Sequence, residues 1–181
     1  MAAQLELILG GARSGKSRLA EQRVLDSGMN KVYVATATAD DDEMAVRIEQ
    51  HRQRRQKSEG DEDWHLIEEP VHLSEALQSV HDAGTCILVD CLTLWVSNCL
   101  HKDCWLSERA KIFTYLPNSE GRIIFVSNEV GTGIVPMGEL TRQFVDTSGQ
   151  LHQELAAICQ RVTLTVAGLS VELKTANPTI S

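Results

Sequence analysis

The 181-residue sequence contains no run approaching the roughly 18 apolar residues of a membrane-spanning helix. Its N-terminal stretch lacks the charged-then-apolar order of a secretory signal and carries the acidic Glu6 instead. Its five cysteines, Cys86, Cys91, Cys99, Cys104 and Cys159, include no Cys-x-x-Cys pair. An odd number also cannot close a complete disulfide framework, so reduced thiols in a cytoplasmic protein are expected. The group Cys99-x-His101-x-x-Cys104 lacks an evident fourth ligand and is expected to supply loop and core thiols, not a zinc site. A cationic excess is missing too. Seventeen Lys and Arg against 25 Asp and Glu give a net charge of −8, which argues against generic nucleic-acid binding. The basic residues between Arg47 and Lys57 are the local exception. No repeat, low-complexity tract or linker divides the chain.

What is present is a phosphate-binding pattern. Gly10, Gly11, Ala12, Arg13, Ser14, Gly15, Lys16 and Ser17 place two glycines of the loop ahead of a Lys-Ser pair. The apolar run Leu5 to Leu9 precedes it and a helix-spaced segment, Arg18 to Leu25, follows it. In such a loop, backbone N–H groups and a helix N-terminus converge on phosphate oxygens. Lys16 reaches the β- and γ-phosphates, and the Ser17 hydroxyl is placed to ligate Mg²⁺.

Strand and helix patterns then alternate. Lys31 to Thr36 reads as a strand, Asp42 to about Gln56 as a helix, Trp64 to Pro70 as a short extended piece and Ser74 to His81 as a helix. Cys86 to Asp90 is a buried strand followed by a helix from about Leu92 to Leu100. Gly121 to Ser127 and Arg161 to Gly168 are further apolar strands. Between them runs a helix of roughly 138–160, with Leu140, Phe144, Leu151, Leu155 and Ile158 as its apolar positions. Unbroken apolar strands separated by helices predict an α/β fold, P-loop NTPase-like, with a mainly parallel sheet covered on both faces. One P-loop nucleotide-binding domain is expected over residues 1–181, with an irregular tail from 175 to 181. Ligands gather at the C-terminal ends of strands in such sheets.

Asp90 closes a buried strand, where a carboxylate either holds Mg²⁺ or caps the following helix. The segment Asp41 to Arg55 has an acidic start and a basic end that suit a helix dipole, and Glu43 with Arg47 forms an i,i+4 pair. Those features leave His51 unexplained, on the same side as Met44 and Ile48 and followed by Arg52, Arg54 and Arg55. A neutral imidazole is a competent nucleophile near neutral pH, and neighbouring cations stabilise an attacked phosphate. A partly buried helix histidine with no catalytic part is the other reading.

Several stretches follow one another in a recognisable order: the phosphate loop, Glu43-Met44 with Arg47-Ile48 and His51, Trp64 with Glu68-Glu69-Pro70, Val89-Asp90-Cys91-Leu92-Thr93, and Ser127-Asn128-Glu129-Val130-Gly131-Thr132-Gly133-Ile134-Val135-Pro136. With Arg142, Phe144, Asp146, Gly149 and the final stretch to Lys174, the chain resembles the bifunctional adenosylcobinamide kinase/adenosylcobinamide-phosphate guanylyltransferase family of cobalamin biosynthesis.

The resemblance implies phosphorylation of adenosylcobinamide by ATP or GTP, then transfer of GMP from GTP to the product phosphate through a GMP–histidine intermediate. It assigns His51 as the guanylylated residue, and Lys16 of the phosphate loop is the second catalytic candidate, neutralising the departing pyrophosphate with Mg²⁺. Nucleotide contacts are implied for Gly10 to Ser17, for Ala35, Thr36 and Ala37, for Arg52, Gln53, Arg54 and Arg55, and for Glu68 and Asp90. Ser17 and Asp90 are the implied Mg²⁺ ligands, Asn128 and Glu129 are expected to border the corrinoid or a second nucleotide site, and a homo-oligomer, a homotrimer in this family, is the implied assembly. Gln50 stands where some relatives have a second histidine, and the interval between Leu100 and Gly121 is short for the family. A single-activity P-loop kinase or guanylyltransferase and a non-catalytic nucleotide-binding regulatory module are the alternatives. Lys16, Ser17, Asp90 and His51 together favour an enzyme.

Overall fold

A computed structural model describes residues 3–37, 64–80 and 82–175. The helix expected over 42–56, the acidic stretch 58–63 and the tail beyond Thr175 lie outside the described residues, as do His51, Arg52, Gln53, Arg54 and Arg55.

Seven strands form one sheet: β1 (Gln4–Gly10), β2 (Asn30–Ala35), β3 (His65–Glu68), β4 (Thr85–Asp90), β5 (Arg122–Asn128), β6 (Arg161–Val166) and β7 (Leu169–Lys174), in the order β3-β2-β4-β5-β1-β6-β7. The first six run parallel, and β7 pairs antiparallel with β6 at one edge. The helices are α1 (Lys16–Leu25), α2 (Leu73–Ser79), α3 (Leu92–His101), α4 (Trp105–Tyr115) and α5 (Glu139–Ile158).

Side-chain alternation divides the sheet into two faces. Leu5, Leu7 and Leu9 of β1, with Ile123 and Phe125 of β5, pack against Leu73, Trp95, Ile112 and Leu151 of α2 to α5. Ile8, Leu88, Ile124 and Val126 face the other way, onto Ala20 and Val24 of α1. Burial on both faces is why these strands read as unbroken apolar runs. Glu6 also lies on the α1 face, where Arg23 and Arg122 pair with it; Arg23 further binds Glu172 of β7 at 2.6 Å and Thr163 of β6 at 2.9 Å, tying α1 to the sheet edge.

Three elements differ from expectation. The interval before β5 holds α4 and a short 3₁₀ turn, Leu116–Asn118. Its inward row includes the buried Glu108, held by Lys111 at 2.8 Å, so the apolar period is interrupted where a helix would be read. The last strand stops at Val166. Ala167 (φ 53°) and Gly168 (φ 80°) make a two-residue turn with both φ positive, the hairpin type that returns the chain antiparallel as β7. Along α5, Leu140 is 78 % exposed and Ile158 is also exposed, whereas the buried row is Ser148, Leu151, His152 and Leu155.

Trp95 is fully buried, and its indole N–H donates to the Val71 carbonyl at 2.7 Å. Trp95→Ala is expected to lower stability by about 3–5 kcal/mol in urea denaturation, because it opens a cavity and removes a buried hydrogen bond to that carbonyl, which keeps the Leu73 N–H at 2.9 Å.

Candidate functional site

The phosphate loop joins the end of β1 to α1, and its shape is set by contacts that only glycine permits. A Cβ on Gly10 would lie 2.3 Å from Thr165 Oγ1, 2.4 Å from Ser14 Oγ and 2.7 Å from the Thr165 carbonyl oxygen. Ser14 and Thr165 hydroxyls are 2.9 Å apart in a buried contact, and Thr165 Oγ1 donates to the Leu9 carbonyl at 3.0 Å. Gly15 caps α1 in the left-handed region (φ 99°), which favours glycine. The hairpin tip closes over it: Gly168 N–H donates to the Ser14 carbonyl at 2.9 Å. Ser14 therefore braces the loop through both its hydroxyl and its carbonyl. Thr165 and Gly168 escaped sequence reasoning because they are 150 residues downstream of the loop and belong to no local pattern.

Lys16 begins α1, is largely buried, and donates from Nζ to the Gly11 carbonyl at 3.1 Å across the loop. Burial pushes its pKa below the ordinary lysine value, opposed by the nearby Asp90 charge and then by Cys91. Asp90 is not on the strand next to β1, because β5 lies between; two interstrand spacings of about 4.8 Å separate the strands. It still shares the α1 face with Lys16, alternating with Leu88. Cys91, not Asp90, is the N-cap of α3, so the capping role does not account for Asp90. Asp90 Oδ2 is buried with no hydrogen-bond partner among the described residues. An orphaned carboxylate oxygen on the α1 face and the Ser17 hydroxyl are hard donors that fit Mg²⁺, an ion usually held by one or two carboxylates plus substrate phosphates. The Cys91 thiol is pushed up to about 11, first by burial and then by Asp90, and so stays protonated beside the site.

Other expected contacts fall along the strand ends. Thr36 is fully buried; its hydroxyl donates to the Cys91 carbonyl at 2.6 Å and accepts the Cys91 N–H at 2.9 Å. Its hydroxyl thus fixes the turn after β4, and the backbone here is engaged within the protein: Thr36 N–H donates to the Asp90 carbonyl at 3.3 Å, the Thr36 carbonyl accepts from Asn98 Nδ2 at 2.9 Å, and the Ala35 carbonyl accepts the Glu69 N–H at 2.9 Å. Glu68 is exposed at the end of β3, four strand spacings or roughly 19 Å from β1. Its neighbour Glu69 has a structural task, accepting the Val71 and His72 N–H groups at 2.8 Å ahead of α2. Asn128 is aligned with Gly10 in the sheet, and Glu129 N–H donates to the Gly10 carbonyl at 3.1 Å. His101 is turned to its own helix, 2.8 Å from the Ser97 carbonyl, while Cys99 lies in the core.

A glycine-bounded loop between a parallel strand and a helix, with Lys and Ser in the first turn and a carboxylate at a nearby strand end, defines a P-loop nucleotide-binding protein. The fold agrees: a protein of Pyrococcus horikoshii superposes with a TM-score of 0.58 at 11 % identity, covering 100 % of this chain and 91 % of that one. The flagellar accessory protein FlaH of Methanocaldococcus jannaschii gives 0.52 at 14 % identity, covering 95 % and 78 %. The family model for cobinamide kinase / cobinamide phosphate guanyltransferase matches residues 6–173, and the chain belongs to that family. It is 52 % identical over 172 residues to the bifunctional adenosylcobalamin biosynthesis protein CobP of Pseudomonas aeruginosa, spanning 93 % of this chain and 96 % of the relative. The protein CobU of Escherichia coli K12, of the same description, is 37 % identical over 184 residues, spanning 93 % and 98 %.

Gly10→Ala is expected to cost about 1–3 kcal/mol through overpacking and to weaken GTP binding, read by urea denaturation and calorimetric titration. Adding Thr165→Ala restores the loss only in part, because the Thr165 backbone oxygen remains 2.7 Å from the new methyl.

Proposed function

We propose that this chain phosphorylates adenosylcobinamide with ATP or GTP and then transfers GMP from GTP to adenosylcobinamide phosphate. The observation that carries the reading is the convergence of the braced loop, the buried Lys16 and the orphaned Asp90 on one face of the sheet, in a chain whose family is named for both activities. In the first transfer the aminopropanol hydroxyl oxygen attacks the γ-phosphorus, and the nucleoside diphosphate leaves with the bridging oxygen. In the second, an imidazole nitrogen of His51 attacks the α-phosphorus of GTP and pyrophosphate leaves. A phosphate oxygen of the cobinamide product then attacks the same phosphorus and displaces the imidazole, giving adenosylcobinamide-GDP.

Two displacements suit a histidine, which is both a nucleophile and, once protonated on the phosphoramidate, a good leaving group. His51 and the cations Arg52, Arg54 and Arg55 are assigned here from the family's sequence pattern. Lys16 serves as the phosphate clamp in both transfers. Its burial disfavours an isolated ammonium, so the anionic triphosphate is its natural partner. Ser17 and Asp90 would hold Mg²⁺, which supplies charge neutralisation for the departing phosphates.

The assembly belongs to the same reading. Among the described residues no helix is long and apolar enough to cross a membrane. Edge strand β7 leaves Leu169, Val171 and Leu173 exposed, an unusual surface for a lone subunit. A cytoplasmic homo-oligomer, a trimer as in the family, covers such an edge.

GTP labelled at the α-phosphate is expected to leave label on the protein and γ-labelled GTP to leave none. The bond should be acid-labile and alkali-stable, and His51→Ala should abolish it; full labelling of that variant would contradict the mechanism. Asp90→Ala is expected to raise the Mg²⁺ concentration needed for half-maximal turnover, whereas an unchanged metal profile removes Asp90 from the metal site. Sedimentation equilibrium checks the assembly, with three times the 20.0 kDa chain mass as the expected result.

A further inference from the structure

Behind the strand ends, on the face away from α1, lies a buried polar chain that neither transfer uses. Asn128 N–H donates to Thr93 Oγ1 at 2.7 Å. Thr93 Oγ1 and Ser127 Oγ are 3.2 Å apart, and Ser127 Oγ is 2.7 Å from His152 Nε2. His152 Nδ1 faces Glu129 Oε2 at 3.9 Å. Glu129 in turn holds Gly131 N–H with its other oxygen at 2.7 Å, and its own N–H binds the Gly10 carbonyl. The chain thus begins on the Asn128 N–H and ends on the Glu129 carboxylate, two adjacent residues held against the first residue of the phosphate loop.

The Glu129 carboxylate gives this chain a direction: a carboxylate only accepts, so the ring hydrogen sits on the Nδ1 that faces it. Thr93 Oγ1 already accepts from Asn128, so its proton goes to a neighbour. The Cys91 thiol is one neighbour, but a protonated sulfur is a weak acceptor and Ser127 Oγ is the better one. With Nδ1–H directed towards Glu129, His152 Nε2 carries the lone pair and accepts from Ser127. One tautomer of a neutral imidazole satisfies every member, and a proton on Nε2 reverses the first link. Burial pushes the His152 pKa below its ordinary value, with the Glu129 charge acting in the opposite sense. Glu129 is the titratable group facing the ring, and Cys91 is the one facing Thr93.

Serine, histidine and glutamate in contact resemble a nucleophile with its base. Ser127, however, is 1 % exposed and His152 8 %, so no substrate atom reaches either. What the chain can do is hold the peptide above it. Asn128 lies on the α1 face with Asp90, alternating with Val126, and its Oδ1 is buried with no partner among the described residues.

We propose that His152 is a positioning residue for phosphoryl transfer: as the neutral, Nδ1-protonated imidazole it completes the Ser127–Thr93 chain that fixes the backbone of Asn128 and Glu129, and with it the Asn128 carboxamide, against Gly10. The transfer it serves is that of the functional reading above, on which this inference rests.

The test uses the full chain with ¹⁵N-labelled histidine. Ring nitrogen spectra of the wild type are expected to show Nδ1 protonated and Nε2 bare at neutral pH, with His152 titrating below the ordinary histidine value. Ser127→Ala removes a donor to the neutral ring and should move that titration upward. His152→Ala should lower kcat for adenosylcobinamide phosphorylation by on the order of ten- to a hundredfold while leaving KM for GTP little changed. His152→Gln, whose Oε1 accepts from Ser127 without titrating, should recover most of kcat and flatten the acid limb of the pH profile. His152→Ala and Ser127→Ala should combine non-additively. A protonated Nε2, an unmoved titration in Ser127→Ala, additive losses or an unchanged kcat overturns the proposal. If the wild type fails to phosphorylate adenosylcobinamide, the functional reading falls, and the tautomer and the Ser127→Ala titration still decide the role of His152.

Discussion

The phosphate loop depends on the missing side chain of Gly10. With no Cβ there, the hydroxyls of Ser14 and Thr165 meet beside the β1 backbone, and the β6–β7 turn settles onto Gly15 and the Ser14 carbonyl. The loop is therefore clamped between the first strand of the chain and its last hairpin. Backbone donors can stabilise charge on a transferring phosphoryl group only when they are already in place, since orienting them during the reaction would forfeit much of the gain. The clamp provides that order, and it requires the sheet to bring residue 10 beside residue 165.

The two faces of the sheet divide the remaining work. On the α1 face, Lys16, Asp90 and Asn128 come together at strand ends as the polar continuation of an apolar face. On the opposite face, hydroxyls of Thr36, Thr93 and Ser127 fix backbone at the turns after β4 and β5. Asp90 Oδ2 and Asn128 Oδ1 stay unpartnered among the described residues and Lys16 holds the Gly11 carbonyl, while the Thr36, Thr93 and Ser127 hydroxyls behind them are hydrogen-bonded. Unpaired buried oxygens are costly, and the paired layer behind them is what keeps the ligand-side groups in place.

Much of this was legible in the sequence where the signal is local. The loop, its flanking strand and helix, the parallel strands and the carboxylate closing β4 all follow from period and turn chemistry within a few residues. Legibility failed where a contact is distant or a polar residue sits on an inward row. Glu108 hid α4, His152 was passed over on α5 in favour of Leu140, and Thr165 gave no sign of bracing Gly10. The interposition of β5 between β1 and β4 is likewise a matter of strand order, which no local pattern encodes. Asp90 reaches Lys16 across that strand because both lie on one face, a relation visible only once the register is known.

One clamp serving two chemistries is the central claim, and Lys16 is where it is exposed to measurement. Lys16→Ala, assayed in a single preparation for adenosylcobinamide phosphorylation and for guanylylation of the protein, should lose at least about a hundredfold in both rates, as removal of a preorganised charge does. Loss of one rate with the other intact would mean that the two transfers use separate phosphate sites.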